Sequence, residues 1–196
     1  LPAEPAIVEP VHRIGKYGGS WRRVTMGISD LVLTSRLGYE PVVRWDRTGR
    51  NVAPGLASHW EVLDGGKRYV FHLRPGLKWS DGDLYTTEDI AFQWNDIWLD
   101  ENIPEDINGE LVLAGEVPEF QVVDDLVFTL SWSNPFPAVE KVLAWIPGEF
   151  NMPAHILKQY HPRHNSEVDS YDELIQKIGG AGTEVPVNFA SPELPT

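Results

Sequence analysis

Cysteine is absent from the 196 residues. That excludes disulfides, thiolate metal sites and cysteine nucleophiles, while leaving the compartment open, since exported bacterial proteins can also lack cysteine. No apolar run approaches the roughly 18–20 residues of a membrane span. No signal peptide is visible; the chain opens on LPAEPAIVEP, which reads as a linker or the start of a mature sequence. On an exported protein, the signal and any lipid-bearing cysteine would already have been removed. Positive charge is scarce. Sixteen basic residues stand against 29 acidic ones, for a net charge of −13, which makes nucleic acid and anionic membrane poor partners. The acidic runs read as a solvated face. Three catalytic signatures are also missing. There is no Gly-x-Ser-x-Gly, no His-Glu-x-x-His, and no Lys-Ser/Thr after Gly179–Gly182 to make a phosphate loop. No internal repeat is present.

What is present is 42% hydrophobic residues, enough for a packed core in one ordinary domain or two small ones. The most informative stretch runs from Tyr69 to Trp98. Tyr69, Phe71 and Leu73 alternate with Val70, His72 and Arg74 at the period of a half-buried strand. Pro75-Gly76 turns the chain, Leu77 and Trp79 resume the alternation, and Ser80-Asp81-Gly82 turns it again. Thr86 then stands three residues before Asp89, a capping pattern. Ile90, Trp94, Ile97 and Trp98 follow at helical spacing.

This run, LRPGLKWSDG followed by TTEDIAFQW, resembles the family 5 extracellular solute-binding proteins, the peptide, dipeptide and nickel receptors of bacterial ABC importers. The segments YEPVVRWD, APGLASHW and MPAHIL resemble the same family. Pro75 and Arg68 depart from its usual residues. The resemblance implies a mixed α+β chain forming part of a two-lobed periplasmic-binding-protein type II fold. Residues 1–17 would be a tether and 18–38 the first piece of lobe one. Residues 39–146 would be an inserted β-rich domain with helices, 147–182 a return towards lobe one, and 183–196 an unstructured tail. Lobe two would lie in a longer protein of which this chain is a fragment. The implied work is non-enzymatic. An extracellular or periplasmic receptor, membrane-tethered through a removed N-terminal segment, captures a peptide and delivers it to a membrane permease. Oligosaccharide is the competing ligand. No cofactor is implied, and the fragment is expected to be monomeric.

Elsewhere, Trp21–Met26 reads as a strand and Leu31–Leu37 as a short helix. Ala53–Val62 reads as a turn and strand with Trp60 and Val62 facing inward. Glu119–Trp132 reads as a hairpin, and Met152–Tyr160 and Ser170–Gly179 as helices, the second with a Ser170/Glu173 capping box. Of the eight tryptophans, Trp60, Trp79, Trp94 and Trp132 sit at inward-facing periods and read as core. Trp21, Trp45, Trp98 and Trp145 can pack or can stack on a ligand. The loop after the first strand, Met26, Gly27, Ile28, Ser29 and Asp30, faces the cleft in the family; with Trp45 and Trp145 it makes up the candidate ligand contacts. His161 and His164 have a spacing that can share a metal, but no third ligand stands at a fixed offset, so they read as a solvated loop and no metal is assigned. His155 reads as a helix-end hydrogen-bonding residue. The adjacent acids Asp100-Glu101, Glu105-Asp106 and Asp124-Asp125 read as surface. Two rivals from other classes remain: a carbohydrate hydrolase, which needs two carboxylates across a cleft, and a protein-interaction module, which needs a contiguous apolar patch.

Overall fold

The structure, a computed structural model, describes Pro10, Arg13, Gly15, Lys16, residues 40–146 and residues 150–179. The expected strand Trp21–Met26, the helix Leu31–Leu37, the candidate loop Met26–Asp30 and the tail 183–196 lie outside the described residues.

Among the described residues, six strands make two sheets. β1 (Val43–Trp45) and β2 (Val52–Pro54) form an antiparallel pair, and β3 (Ala57–Leu63), β4 (Arg68–Leu73), β5 (Glu119–Asp124) and β6 (Val127–Ser131) form a sheet in the order β3-β4-β6-β5. All pairings are antiparallel. The β3–β4 hairpin closes through Asp64, Gly65 and Gly66, at φ of 53°, 67° and 89°. Two glycines there supply left-handed backbone at little steric cost. One face of the large sheet is apolar. Tyr69, Phe71 and Leu73 on β4 and Phe128 and Leu130 on β6 are buried, and Phe71 stacks on Phe128 at 5.1 Å between ring centres. On the opposite face of β3 and β4, His59 and His72 stack at 4.2 Å and Glu61 bonds His72.

Trp79, Trp94 and Trp132 are core residues as expected, Trp60 packs half-buried against the core, and Trp98 is also buried. Val62 departs from expectation at 49% exposed. It pairs with buried Tyr69 across the ladder and so faces the core side. However, β3 is an edge strand among the described residues, and Val62 near its end is only half covered on that side.

The helix after the signature starts where the pattern placed it. α1 (Thr87–Phe92) is capped by the Thr86 side chain, and the Asp89 carboxylate reaches back to the Thr86 N–H. It does not continue as an α-helix. Gln93–Trp98 is a π-helical turn, in which Leu99 N–H donates to Trp94 C=O five residues back. Trp94 in this turn stacks on Phe120 of β5 at 5.1 Å and meets Trp98 edge-on at 5.4 Å. α2 (Val139–Trp145) packs on β1 and β2. α3 (Ala154–Leu157) is a single turn continued by a 3-10 turn, Lys158–Tyr160, and packs on α1. α4 (Asp172–Gly179) sends Leu174 and Ile178 into the same core as the sheet. At its start the Ser170 hydroxyl bonds Asp172, where Glu173 was the expected capping partner.

Candidate functional site

The signature residues converge on two internal clips. The first joins α1 to α3. Pro153 precedes α3 and offers no side-chain cap, so the free N–H of Ala154 has to be met from elsewhere. Asp89 meets it. Its Oδ1 accepts from Ala154 N–H at 2.9 Å while its Oδ2 accepts from Thr86 N–H at 3.0 Å. The Trp79 indole N–H lies beside the carboxylate, outside hydrogen-bonding geometry. Burial pushes the Asp89 carboxyl above its ordinary value, against the pull of these two N–H groups. Tyr85, fully buried, donates to the carbonyl of Phe150 at 2.8 Å, fixing the same junction.

The second clip joins three other family segments. Arg74, 8% exposed, donates from Nε to the Gly55 carbonyl at 2.8 Å. Gly55 lies against Pro41 and Val42, and its N–H and those of Leu56 and Ala57 bond their carbonyls. Glu40 completes the charge balance with Arg44 and Arg74; burial pushes its carboxyl up, and the two guanidiniums pull it back. Glu-Pro-Val-Val, Pro-Gly-Leu-Ala and Leu-Arg are therefore parts of one joint.

The histidines are not where the spacing placed them. His155 does not serve its own helix end. Its Nε2 donates to Asp81 Oδ2 at 2.7 Å, and its Nδ1 lies 3.6 Å from Asp83. His161 is not in a solvated loop but wholly buried. It donates from Nε2 to the Asp96 carbonyl, accepts the Arg163 N–H on Nδ1, and is edged by Phe92 and Tyr171. Asp100, expected at the surface, is 2% exposed and 2.9 Å from Arg163. Burial alone would raise its carboxyl, but Asn102, Tyr171 and Arg163 together hold it below the usual range. The signal in the sequence was Asp96 and Asp100 four apart, but their basic partners lie far downstream, His161 being 65 positions from Asp96, and no local period reveals the pairing. Among the described residues no group of three or more His, Asp or Glu could hold a metal ion, and no helix is long and apolar enough to cross a membrane.

Asp81 gives a pH prediction. The His155 hydrogen bond, then the Asp83 backbone N–H, hold its carboxyl below the ordinary value. A carboxyl depressed by folding contributes stability that is present above its unfolded pKa of about 3.9 and is lost as pH falls through the folded value. Side-chain NMR should show Asp81 titrating below that value, with His155→Gln moving it back up. An Asp81 that titrates at the ordinary value in the unaltered protein refutes the clip.

Of the predicted ligand contacts, two can be placed. Trp45 ends β1 half-buried, and Trp145 ends α2 at 57% exposed. The two elements that carry them, α2 and β1, pack against each other. The signature itself contributes no such surface, since its tryptophans and acids are spent on the core and the clips. Residues 51–182 match the family described as bacterial extracellular solute-binding proteins, family 5 Middle.

The chain belongs to this family. It is 34% identical over 136 residues to a probable deoxycholate-binding periplasmic protein of Escherichia coli K12, covering 62% of this chain and 25% of the relative. It is 33% identical over 143 residues to a periplasmic alpha-galactoside-binding protein of Rhizobium meliloti, covering 69% and 20%. Among solved structures, an oligopeptide-binding protein OppA superposes with a TM-score of 0.72 at 37% identity, covering 95% of this chain and 27% of that one. The MelB binding protein of Agrobacterium fabrum, solved with stachyose, superposes with a TM-score of 0.56 at 25% identity, over 70% and 21%. The resemblance read from the signature is thus borne out, as is the mixed helix-and-sheet fold as part of a family 5 binding protein. The chain spans about a quarter of the length of these relatives.

Proposed function

We propose that the chain is part of the substrate-binding component of an ABC importer that captures a peptide outside the cytoplasm and passes it to a membrane permease. The observation that carries this reading is the likeness to the oligopeptide-binding protein across 95% of the chain. On this reading residues 18–38 are the first piece of lobe one, 39–146 the inserted domain, and 147–182 the return. The ligand would shift a hinge equilibrium by binding the closed state better. Met26–Asp30, Trp45 and Trp145 would line the captured solute. Export, periplasmic residence and tethering through an N-terminal segment belong to the same proposal. The binding role is favoured over hydrolysis because two of the three adjacent acid pairs give a carboxylate to structure: Asp100 pairs with Arg163, and Asp124 bonds Leu126 N–H in the β5–β6 turn.

Oligosaccharide is the second reading. It is favoured by the half-exposed Trp145, an indole face suited to stacking on a sugar ring, and by likeness to an alpha-galactoside-binding protein and to a binding protein solved with stachyose. Native mass spectrometry of the protein containing this chain, purified without denaturation, is expected to show a bound peptide. Trp145→Ala should weaken binding by up to about tenfold, the worth of one aromatic stacking contact. A retained saccharide would decide for the second reading. If peptide and oligosaccharide panels both leave the melting temperature unmoved, the transport role is wrong.

A further inference from the structure

Residues 155–164 carry five His, Lys and Arg side chains, each within 4 Å of an acid from the stretch 81–100; His161, which accepts the Arg163 N–H on Nδ1, contributes hydrogen bonds rather than charge. His155 faces Asp81 and Asp83, at 2.7 and 3.6 Å. Lys158 pairs with Glu88. His161 Nε2 lies 3.7 Å from Asp100. Arg163 lies 2.9 Å from Asp100 and 3.8 Å from Asp96, and His164 lies 3.2 Å from Asp96. Asp89, a sixth acid from the same stretch, bonds the Ala154 N–H. Order in sequence is kept along the junction, from Asp81 and Glu88 opposite residues 155–158 to Asp96 and Asp100 opposite residues 161–164.

The segment has little regular structure of its own. Its regular structure is one helical turn and one 3-10 turn, too short to stand alone. Its anchors in the core are Pro153, Ala154 and Leu157, with Tyr160 packed half-buried against it and the buried His161 ring set between Phe92 and Tyr171. The large sheet, by contrast, is held by continuous ladders and stacked aromatic rings. Attraction between exposed charges, as in Lys158–Glu88, is screened by salt; pairs on the buried Asp100 are screened much less, and ladder hydrogen bonds and apolar burial are not screened.

We propose that residues 153–165 form a charge-matched strap that docks on the 81–100 face and opens from it as one unit, ahead of the sheet. This does not depend on the ligand-binding role, since all its partners lie within the described chain. Hydrogen exchange at fixed pH tests it. The informative amides are those of Ala154, His161, His164 and Asn165, whose N–H groups bond Asp89, Lys158 and His161. Raising NaCl from about 0.01 M to about 1 M shortens the screening length from roughly 30 Å to 3 Å. Exchange of these four amides should then speed together, by about tenfold or more, while Phe71 and Phe128 in the sheet keep their rates. Arg163→Gln, which alters the far end of the strap, should speed exchange at Ala154 as well. Strap amides indifferent to salt, or strap and sheet responding by the same factor, would overturn the proposal. So would an Arg163→Gln effect that stops short of Ala154.

Discussion

Asp89→Ala is expected to lower the unfolding free energy by about 3 kcal/mol, which for a chain of this size is a fall of about 10 °C in melting temperature. The substitution strands two N–H donors at once, from Thr86 and Ala154, in a place where Asp89 is only 3% exposed. Each buried donor left unmet costs roughly 1–3 kcal/mol. Asp89→Asn, which retains one carbonyl acceptor, should lose about half as much. Two routes to the loss can be told apart by circular dichroism and exchange. Losing only the cap frays α1, whereas losing the clip also frees α3. A measured loss for the alanine variant below about 1 kcal/mol would mean that water reaches those donors and that the clip is not the junction described here.

Gly55→Ala is expected to cost about 3 kcal/mol, the upper part of the range for forcing a group into a filled space. A Cβ built at Gly55 would stand 2.1 Å from the Pro41 carbonyl oxygen, 3.1 Å from that of Val42 and 3.2 Å from Glu40 Oε1. The nearest of these is backbone: the Pro41 carbonyl is held by the Leu56 N–H and the adjoining Val42 carbonyl by those of Gly55 and Ala57, so no side-chain rotation relieves the clash. Gly65→Ala is the control. Its φ is +67° but nothing lies within 4 Å, so it pays only the left-handed backbone cost of roughly 1–2 kcal/mol. Chemical denaturation of the two variants separates lack of room from lack of conformational freedom. If Gly55→Ala is no worse than Gly65→Ala, the joint between residues 40–43 and 54–57 is looser than its geometry indicates.

Much of this fold was legible because its signals are local. Alternation in Tyr69–Leu73, the Glu119–Trp132 hairpin and the Thr86–Asp89 cap each involve residues close in sequence, and each was found where the pattern placed it. What the pattern missed was long-range. His155 and Asp81 are 74 positions apart, and His161 and Asp96 are 65 apart, so nothing in either neighbourhood marks them as partners. Val62 shows a related gap. Its side of the strand was read correctly, yet burial also depends on where the sheet ends. The candidate ligand contacts rest on the resemblance for Met26–Asp30 and on the stacking capacity of indole for Trp45 and Trp145. The structure places Trp45 and Trp145 on adjoining elements, but the signature that identified the family proved to consist of hinge pins and rivets for the scaffold.

The π turn at Gln93–Trp98 acts as a phase correction. In a continuous α-helix each residue advances by about 100° around the axis, so one residue more or fewer rotates everything after it by that angle. Here the wide turn takes up that one-residue step while Trp94 and Trp98 both stay in the core, and it leaves Asp96 and Asp100 aimed at the 161–164 segment. A relative lacking one residue in this stretch could carry the same capping motif and the same acids and still be unable to fasten the strap. In this chain, spacing between the two acids and the cap is thus as much a part of the recognition pattern as the residues themselves.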